Sequence, residues 1–340
     1  MDKILYKMPE ADFGLIDEIA KGNEKANILF AAVDYMIFDL LTQPKTADQV
    51  AEEIKTDSYL TEKFLNALVA LNLIHKIDNR YSNTKLAETF LVRKSPFYQG
   101  TSFEMKRRGS TDWQRISDAL KNGGIKAGTE NKSAIDRTFI VGHAEIAITG
   151  AMQRAVDVVS SLPEFKGAKK LLDLGGGHGL YSIAFNQLKP DLEVILFDLP
   201  LVTEIAKEYL EQYGMSNRIK LIAGDFTKDD IGNGYDVIFV SDVTISGILK
   251  KVYDALNENG VLIYRRWTIN DDRTSPLTSV LFDFMLAMRR SEHRVYTLGE
   301  YIHLLEATGF FITQILDIFS PQDPTKIIIA KKLKKIIDTD

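Results

Sequence analysis

Cysteine is absent from this 340-residue chain, which excludes a disulfide framework, thiolate metal ligation and a cysteine nucleophile. Histidine is scarce, with five residues, and no His and carboxylate side chains cluster at metal-ligand spacing, so no metal is expected. Nowhere do enough apolar residues follow one another to span a bilayer. The first ten residues carry lysines but no sustained apolar leader, and a cytoplasmic protein without membrane association is the expectation. Strong charge of one sign is also missing: a formal net charge of −5 leaves no long-range attraction for nucleic acid or an anionic membrane. There is no internal repeat, and only Lys331–Asp340 reads as a charged, fraying tail.

What is present is an ordinary globular composition, 45% hydrophobic, over a length that exceeds a typical single domain. Asn27–Leu41 has apolar residues at helical spacing. Thr46-Ala47-Asp48-Gln49 reads as a capping box opening a helix that turns Val50 and Ile54 inward. A further helix follows, with Phe64, Leu65, Leu68 and Leu71 inward, and then Ile74–Ser82 alternates around Asp78-Asn79, a hairpin turn. This is the order of a winged helix. Its recognition helix, Thr61–Asn72, carries Lys63 as its only cation, so phosphate neutralisation would be weak and a dimer interface suits the apolar face better than DNA. Residues 1–105 are read as this winged-helix-like dimerisation domain. Residues 106–165 are mostly helical, interrupted at Asn122-Gly123-Gly124 and near Gly128, and are read as a connector and substrate lid carrying Trp113, Phe139, His143 and Met152. Residues 166–335 change character: apolar runs at Lys170–Leu174, Glu193–Phe197, Ile219–Ala223, Val237–Ser241 and Val261–Tyr264 alternate with helical segments, which means a parallel sheet flanked by helices.

The chemistry-bearing residues fall at the ends of those strands. Leu171-Leu172-Asp173-Leu174-Gly175-Gly176-Gly177-His178-Gly179 is a buried strand running through glycines into a helix near Leu180, where backbone can approach a ligand closely. About twenty residues on, Phe197-Asp198-Leu199-Pro200 places a carboxylate where a ribose diol would bond. Ala223-Gly224-Asp225-Phe226 adds an acid and an aromatic ring suited to an exocyclic amine and an adenine face. Three strand ends thus address one nucleoside. A nicotinamide-binding dehydrogenase is the rival for the glycine loop, which by itself is a weak signal.

With these motifs, and with Tyr296-Thr297-Leu298-Gly299-Glu300 and Ala307-Thr308-Gly309-Phe310 near the end, nearly the whole chain resembles the class I, S-adenosylmethionine-dependent O-methyltransferases of plants and bacteria that carry an N-terminal winged-helix dimerisation domain. The resemblance implies an α/β, Rossmann-like domain, a mostly parallel sheet with an antiparallel last strand at Ile327–Ala330, and a homodimer. It implies S-adenosylmethionine bound by Asp173, Gly175, Gly176, Gly177, Gly179, Asp198, Leu199, Asp225, Phe226 and Ser241. It also implies a small-molecule acceptor pocket that includes Phe282, Met285 and Met288.

Where such enzymes have a His-Asp-Trp run whose histidine deprotonates the acceptor, this chain reads Ile245-Ser246-Gly247. The two glutamates that steady that histidine fall at Arg266 and near Val295. Loss of all three points to methyl transfer by proximity to carbon, nitrogen or an acidic oxygen, with no catalytic base assigned. Arg266, a cation where the family has a carboxylate, suits an anionic acceptor, against a surface salt bridge as its plain alternative. Arg265 should face the other way, and Asp242 and Thr244 lie near the same strand end. His143 could replace the base from the lid or be structural; His178 reads as a spacer on the cofactor side. Two other readings stand beside the methyltransferase. One is an S-adenosylmethionine-binding relative performing decarboxylation, hydroxylation or rearrangement, and the other is a winged-helix regulator with a ligand-sensing domain.

Overall fold

The structure, a computed structural model, describes residues 8–125, 135–289, 294–318 and 324–333. Gly128 and the tail beyond residue 333 lie outside the described residues. The chain divides into two compact units, Met1–Arg107 and Arg108–Asp340; the helices of 108–167 therefore belong to the same unit as the sheet.

In the first unit Thr46 closes a full capping box with Gln49 and opens the helix Ala47–Ile54. Asp57 caps the next helix, Ser58–Ala70, by accepting from the Leu60 amide. Strands β1 (Ile74–Ile77) and β2 (Arg80–Asn83) pair antiparallel around Asp78 and Asn79, both at positive φ (47° and 57°), as a two-residue turn with Asn or Asp at its centre requires. The stretch expected as one helix over Asn27–Leu41 is two, Gly22–Asp34 and Ile37–Leu40, because Met36 takes the left-handed conformation at φ 54°. Ile37, Phe38, Leu65, Leu68 and Tyr81 fill the core. Lys63 sits over the Tyr59 ring and beside Glu62, so the one cation of the stretch Thr61–Asn72 is already engaged.

The second unit is built on a seven-stranded sheet: β3 (Lys170–Leu174), β4 (Glu193–Asp198), β5 (Ile219–Ala223), β6 (Tyr235–Ser241), β7 (Leu256–Trp267), β8 (Phe310–Asp317) and β9 (Thr325–Lys332), in the order β5-β4-β3-β6-β7-β9-β8. Only β9 runs antiparallel to its neighbours. Both faces are covered, so the strands are near-continuous apolar runs and the two-residue alternation sorts them between two cores. Leu171, Val194, Leu196, Val237, Phe239, Val261 and Ile263 pack with the helices Met152–Ser161, Leu180–Leu188 and Pro200–Gln212. Leu172, Leu174, Ile195, Ile238, Val240, Leu262 and Tyr264 pack with the helices Leu249–Ala255 and Leu298–Thr308. The strand order reverses at β3, and the crevice outside the carboxyl ends of β3, β4 and β6 is where such sheets hold ligands. Among the described residues no helix is long and apolar enough to cross a membrane.

Candidate active site

The glycine loop is folded back on the next strand. The Gly175 and Gly176 amides both donate to the Phe197 carbonyl (2.8 and 3.4 Å), and Gly177 donates to Asp198 Oδ2 at 2.8 Å. Gly175, Gly177 and Gly179 stand at φ 72°, 56° and 78°, the left-handed region that glycine enters without steric cost. At Gly175 close approach adds to this: a Cβ there would lie 2.6 Å from Val243 Cγ2, whereas at Gly177 it would meet nothing within 4 Å. One glycine thus seats the loop after β6, and the other leaves the outer side of the loop open.

Alternation along β3, β4, β6 and β7 carries Asp173, Asp198, Ser241 and Arg265 to the sheet face that bears the glycine-loop helix. Asp173 is buried beneath the loop and accepts from Ser182 Oγ at 2.7 Å. Burial pushes its carboxyl up to about 7, against the Ser182 hydrogen bond and helped by the neighbouring Asp198 charge. Asp198 is half-buried, and desolvation raises its pKa. Its two oxygens each take one amide, from Gly177 and from Leu199 (2.7 Å), which leaves acceptor capacity on both. Ser241 accepts from Arg265 Nη1 at 3.1 Å, and Arg265 is ion-paired to Asp242, which turns the chain at φ 57°. Asp225 lies at the next strand end. Its carboxylate accepts from Lys228 and from the amide and hydroxyl of Thr227, which hold its pKa down at about 2. Phe226 packs against the core of the opposite face.

His178 is buried, its ring near Tyr181 and Tyr209, and its Nδ1 accepts from the Leu180 amide at 3.2 Å. Burial, with His143 adding, pushes its pKa down to about 3, so it stays neutral and cannot take a proton near neutral pH. His143 is exposed; its Nδ1 donates to the Phe139 carbonyl at 2.7 Å and its ring lies against Phe139 at 4.2 Å. That bond fixes the tautomer and leaves Nε2 as an acceptor.

The aromatic and methionine set expected for an acceptor pocket does not form one cluster. Trp113 packs on Phe284 (6.1 Å) and Phe282 on Trp267 (5.2 Å), while no ring contact joins Phe139 to either pair among the described residues. Met152 packs into the core against the sheet, Met288 is buried, and Met285 is half-buried.

Arg266 faces away from Arg265, as alternation requires. It is 8% exposed, and no carboxylate pairs with it among the described residues, so it is not a surface salt bridge. Its Nε donates to Tyr301 Oη at 2.9 Å, and its guanidinium lies 5.6 Å from the centres of both the Tyr264 and Tyr301 rings. Its neighbours Thr244, Tyr264 and Tyr301, with Ser246, Tyr296 and leucines, line a narrow hollow with about 10 Å³ of free room. Three stretches far apart in sequence meet here: the short turn Ser246–Ile248 after β6, the end of β7, and the entry to the helix Leu298–Thr308. Tyr264 could have been found from its two-residue spacing to Arg266. Tyr296, Tyr301, Ser182 and Val243 had no local signal, since their roles come from elements brought in by the fold.

Residues 131–311 match the O-methyltransferase domain, and residues 18–93 match the O-methyltransferase dimerisation domain. The chain belongs to the O-methyltransferase family. It is an S-adenosylmethionine-dependent methyltransferase that acts on a small molecule. The methyltransferase is 30% identical to acetylserotonin O-methyltransferase of Bos taurus over 88% of this chain and 92% of that protein. It is 25% identical to the N,N-dimethyltransferase OxyT of Streptomyces rimosus, over 90% and 93%. Human N-acetylserotonin methyltransferase, solved in complex with SAM, superposes with a TM-score of 0.81 at 23% identity, covering 96% of this chain and all of that one.

Proposed function

We propose that this homodimeric methyltransferase transfers a methyl group to a small, flat, aromatic acceptor without a histidine base, at carbon, nitrogen or an oxygen that is already ionised. The observation that carries the reading is the segment after β6: past Asp242, which is ion-paired to Arg265, Val243-Thr244-Ile245-Ser246-Gly247-Ile248-Leu249 has no titratable side chain, and Ile245 within it is buried. A base is needed only where the nucleophile still holds its proton, and positioning alone supplies roughly 7–11 kcal/mol of the barrier. That a relative is named as an N,N-dimethyltransferase fits an acceptor whose lone pair needs no deprotonation.

S-adenosylmethionine supplies a methyl group already activated on a sulfonium. The residues of the crevice fit it. Asp198 offers an acceptor on each oxygen to the ribose diol, and the open side of Gly177 leaves room for close approach. Asp173 provides a buried carboxyl whose ionised form a cationic amino-acid portion would favour, and Ser241 lines the same face. For adenine, the supporting residue is Leu199 beside Asp198 rather than Asp225 alone, since the Asp225 carboxylate is largely occupied by Thr227 and Lys228.

Calorimetric titration with S-adenosylmethionine and S-adenosylhomocysteine tests the cofactor half. Asp198→Ala is expected to weaken both by about tenfold to a hundredfold, the worth of hydrogen bonds to a charged acceptor; unchanged binding in the variant would overturn the assignment. For the base-free half, product mass establishes methyl transfer, and the pH–rate profile is expected to be the same in His143→Asn as in wild type. A collapse of rate in that variant would give the base back to the lid.

A further inference from the structure

A guanidinium removed from water without a carboxylate partner is costly, and the protein meets that cost only in part. Arg266 spends one N–H on Tyr301 at 2.9 Å, and Thr244 Oγ1 lies at the long limit of 3.5 Å from its Nη2. Two nitrogens of the planar fork are engaged within the chain and the Asp242 charge attracts it from further away, while no nitrogen of Arg266 is both sealed from solvent and without a partner. The two tyrosine rings at 5.6 Å provide cation–π stabilisation but no hydrogen-bond acceptor in the plane of the fork.

The polar groups nearest Arg266 are hydroxyls, although the hollow beside them is mostly apolar and Arg266 does not line it. Tyr301 Oη accepts from Arg266, so its own proton is available to a ligand; Thr244 and Ser246 bring two more hydroxyls to the hollow. Burial raises the Tyr264 and Tyr301 pKa values, so both phenols remain protonated. The hollow is no wider than a single water, so a ring stays outside it. No acidic side chain lines it.

The hollow also lies in a useful place. It is bounded by residues at the carboxyl ends of β6 and β7, and β6 is the direct neighbour of β3. Arg266 is therefore two strand spacings, roughly 10 Å, from the strand that carries the glycine loop, about the span of one substituted aromatic ring.

We propose that Arg266, with Tyr301 and the hydroxyls of Thr244 and Ser246, binds a carboxylate carried by the acceptor, so that the substrates are aromatic acids and Arg266 is the residue that selects them. This rests on the methyl-transfer reading above. With the carboxylate end anchored over β7, the far side of the ring reaches toward β3, where its nucleophilic atom forms the new bond to the methyl carbon as the methyl–sulfur bond breaks. The fixed cation also favours the ionised form of a hydroxyl on the same ring, which loses its proton to solvent before transfer.

The test uses the full-length protein saturated with S-adenosylhomocysteine, titrated calorimetrically with 4-hydroxybenzoate and with its neutral isostere 4-hydroxybenzamide. The acid is expected to bind at least tenfold more tightly than the amide. The preference is expected to vanish in Arg266→Gln and to shrink in Tyr301→Phe, with S-adenosylhomocysteine affinity unchanged in both. Equal binding of acid and amide, no binding of the acid, or a preference that survives in Arg266→Gln overturns the inference, leaving Arg266 as a packing element of the tyrosine stack. Should Arg266→Gln fail to fold, the acid–amide comparison on the wild type and the Tyr301→Phe arm still decide. Failure of the wild type to bind S-adenosylhomocysteine at all would instead strike the cofactor reading, and this inference with it.

Discussion

Asp173 and His178 sit within a few residues of one another and are held in opposite protonation preferences by the same burial. The Asp173 carboxyl, raised to about 7, ionises in the unfolded chain near 3.9. Between those values the unfolded state binds fewer protons than the native one, so stability falls as pH rises from about 4 to 7. Asp173→Asn keeps an acceptor for Ser182 and removes that penalty: without cofactor, the variant is expected to melt above wild type at pH 8, with the gap closing near pH 4, as followed by calorimetric melting. Equal melting temperatures across that range would show that the buried carboxyl ionises freely. His178 works in the other direction. Its pKa is lowered to about 3 from an unfolded value near 6.5, so its contribution is intact above 6.5 and is lost as pH falls toward 3. The native state is thus taxed on both sides to keep a buried acid at the foot of the glycine loop, which is the pattern of a site that spends stability on function.

At the level of elements, the glycine loop and the cap of the helix Leu298–Thr308 set the two walls of the site. Gly175→Ala adds a clash with Val243 to left-handed strain, while Gly177→Ala adds strain alone. The first is expected to lower stability by about 1–3 kcal/mol more than the second. Val243→Ala should restore part of the loss only in the Gly175→Ala background, which denaturant unfolding of the double variant would reveal. For S-adenosylhomocysteine affinity the order changes, because Gly177→Ala places a methyl in the open space over the loop; both variants are expected to lose binding. On the other wall, Thr297 and Glu300 form a complete capping box, and Glu300 also receives Arg273 at 2.9 Å. Thr297→Ala is expected to cost about 0.5–2 kcal/mol and, by loosening the entry that carries Tyr296 and Tyr301, to weaken 4-hydroxybenzoate binding without moving S-adenosylhomocysteine affinity.

For the whole molecule, the match of residues 18–93 to a dimerisation domain makes oligomeric state the first observable. Light scattering on the purified chain is expected to return twice its 38.3 kDa mass at micromolar concentration, and a monomer there would remove the dimer from the reading. The first unit leaves Leu15, Ile16 and Ile19 of the helix Gly14–Ala20 between 59% and 73% exposed. Two compact units in one chain also mean that a single melting transition should not be assumed, and probes reporting on each unit are needed before any unfolding free energy is assigned.

Fold class was legible in the sequence, as was the placing of the glycine loop and two acids at neighbouring strand ends, because both rest on local rules. Apolar runs of strand length, glycines at a strand end and acids at the next two strand ends are read without knowing what packs where. The run Ile245-Ser246-Gly247 and the arginine at 266, on which the base-free proposal rests, were likewise read from order along the chain. Alternation already set the two arginines on opposite faces, but only the tertiary structure gave Arg265 to Asp242 and left Arg266 buried with no carboxylate in ion-pair contact among the described residues. The hollow beside Arg266 is assembled from a turn after β6, a strand end and a helix entry some thirty to fifty residues further on, and long-range packing of that kind leaves no periodic trace. The same reason accounts for the aromatic set: each ring was visible as an apolar residue, but whether it lines a pocket or fills a core depends on neighbours that the sequence does not place beside it.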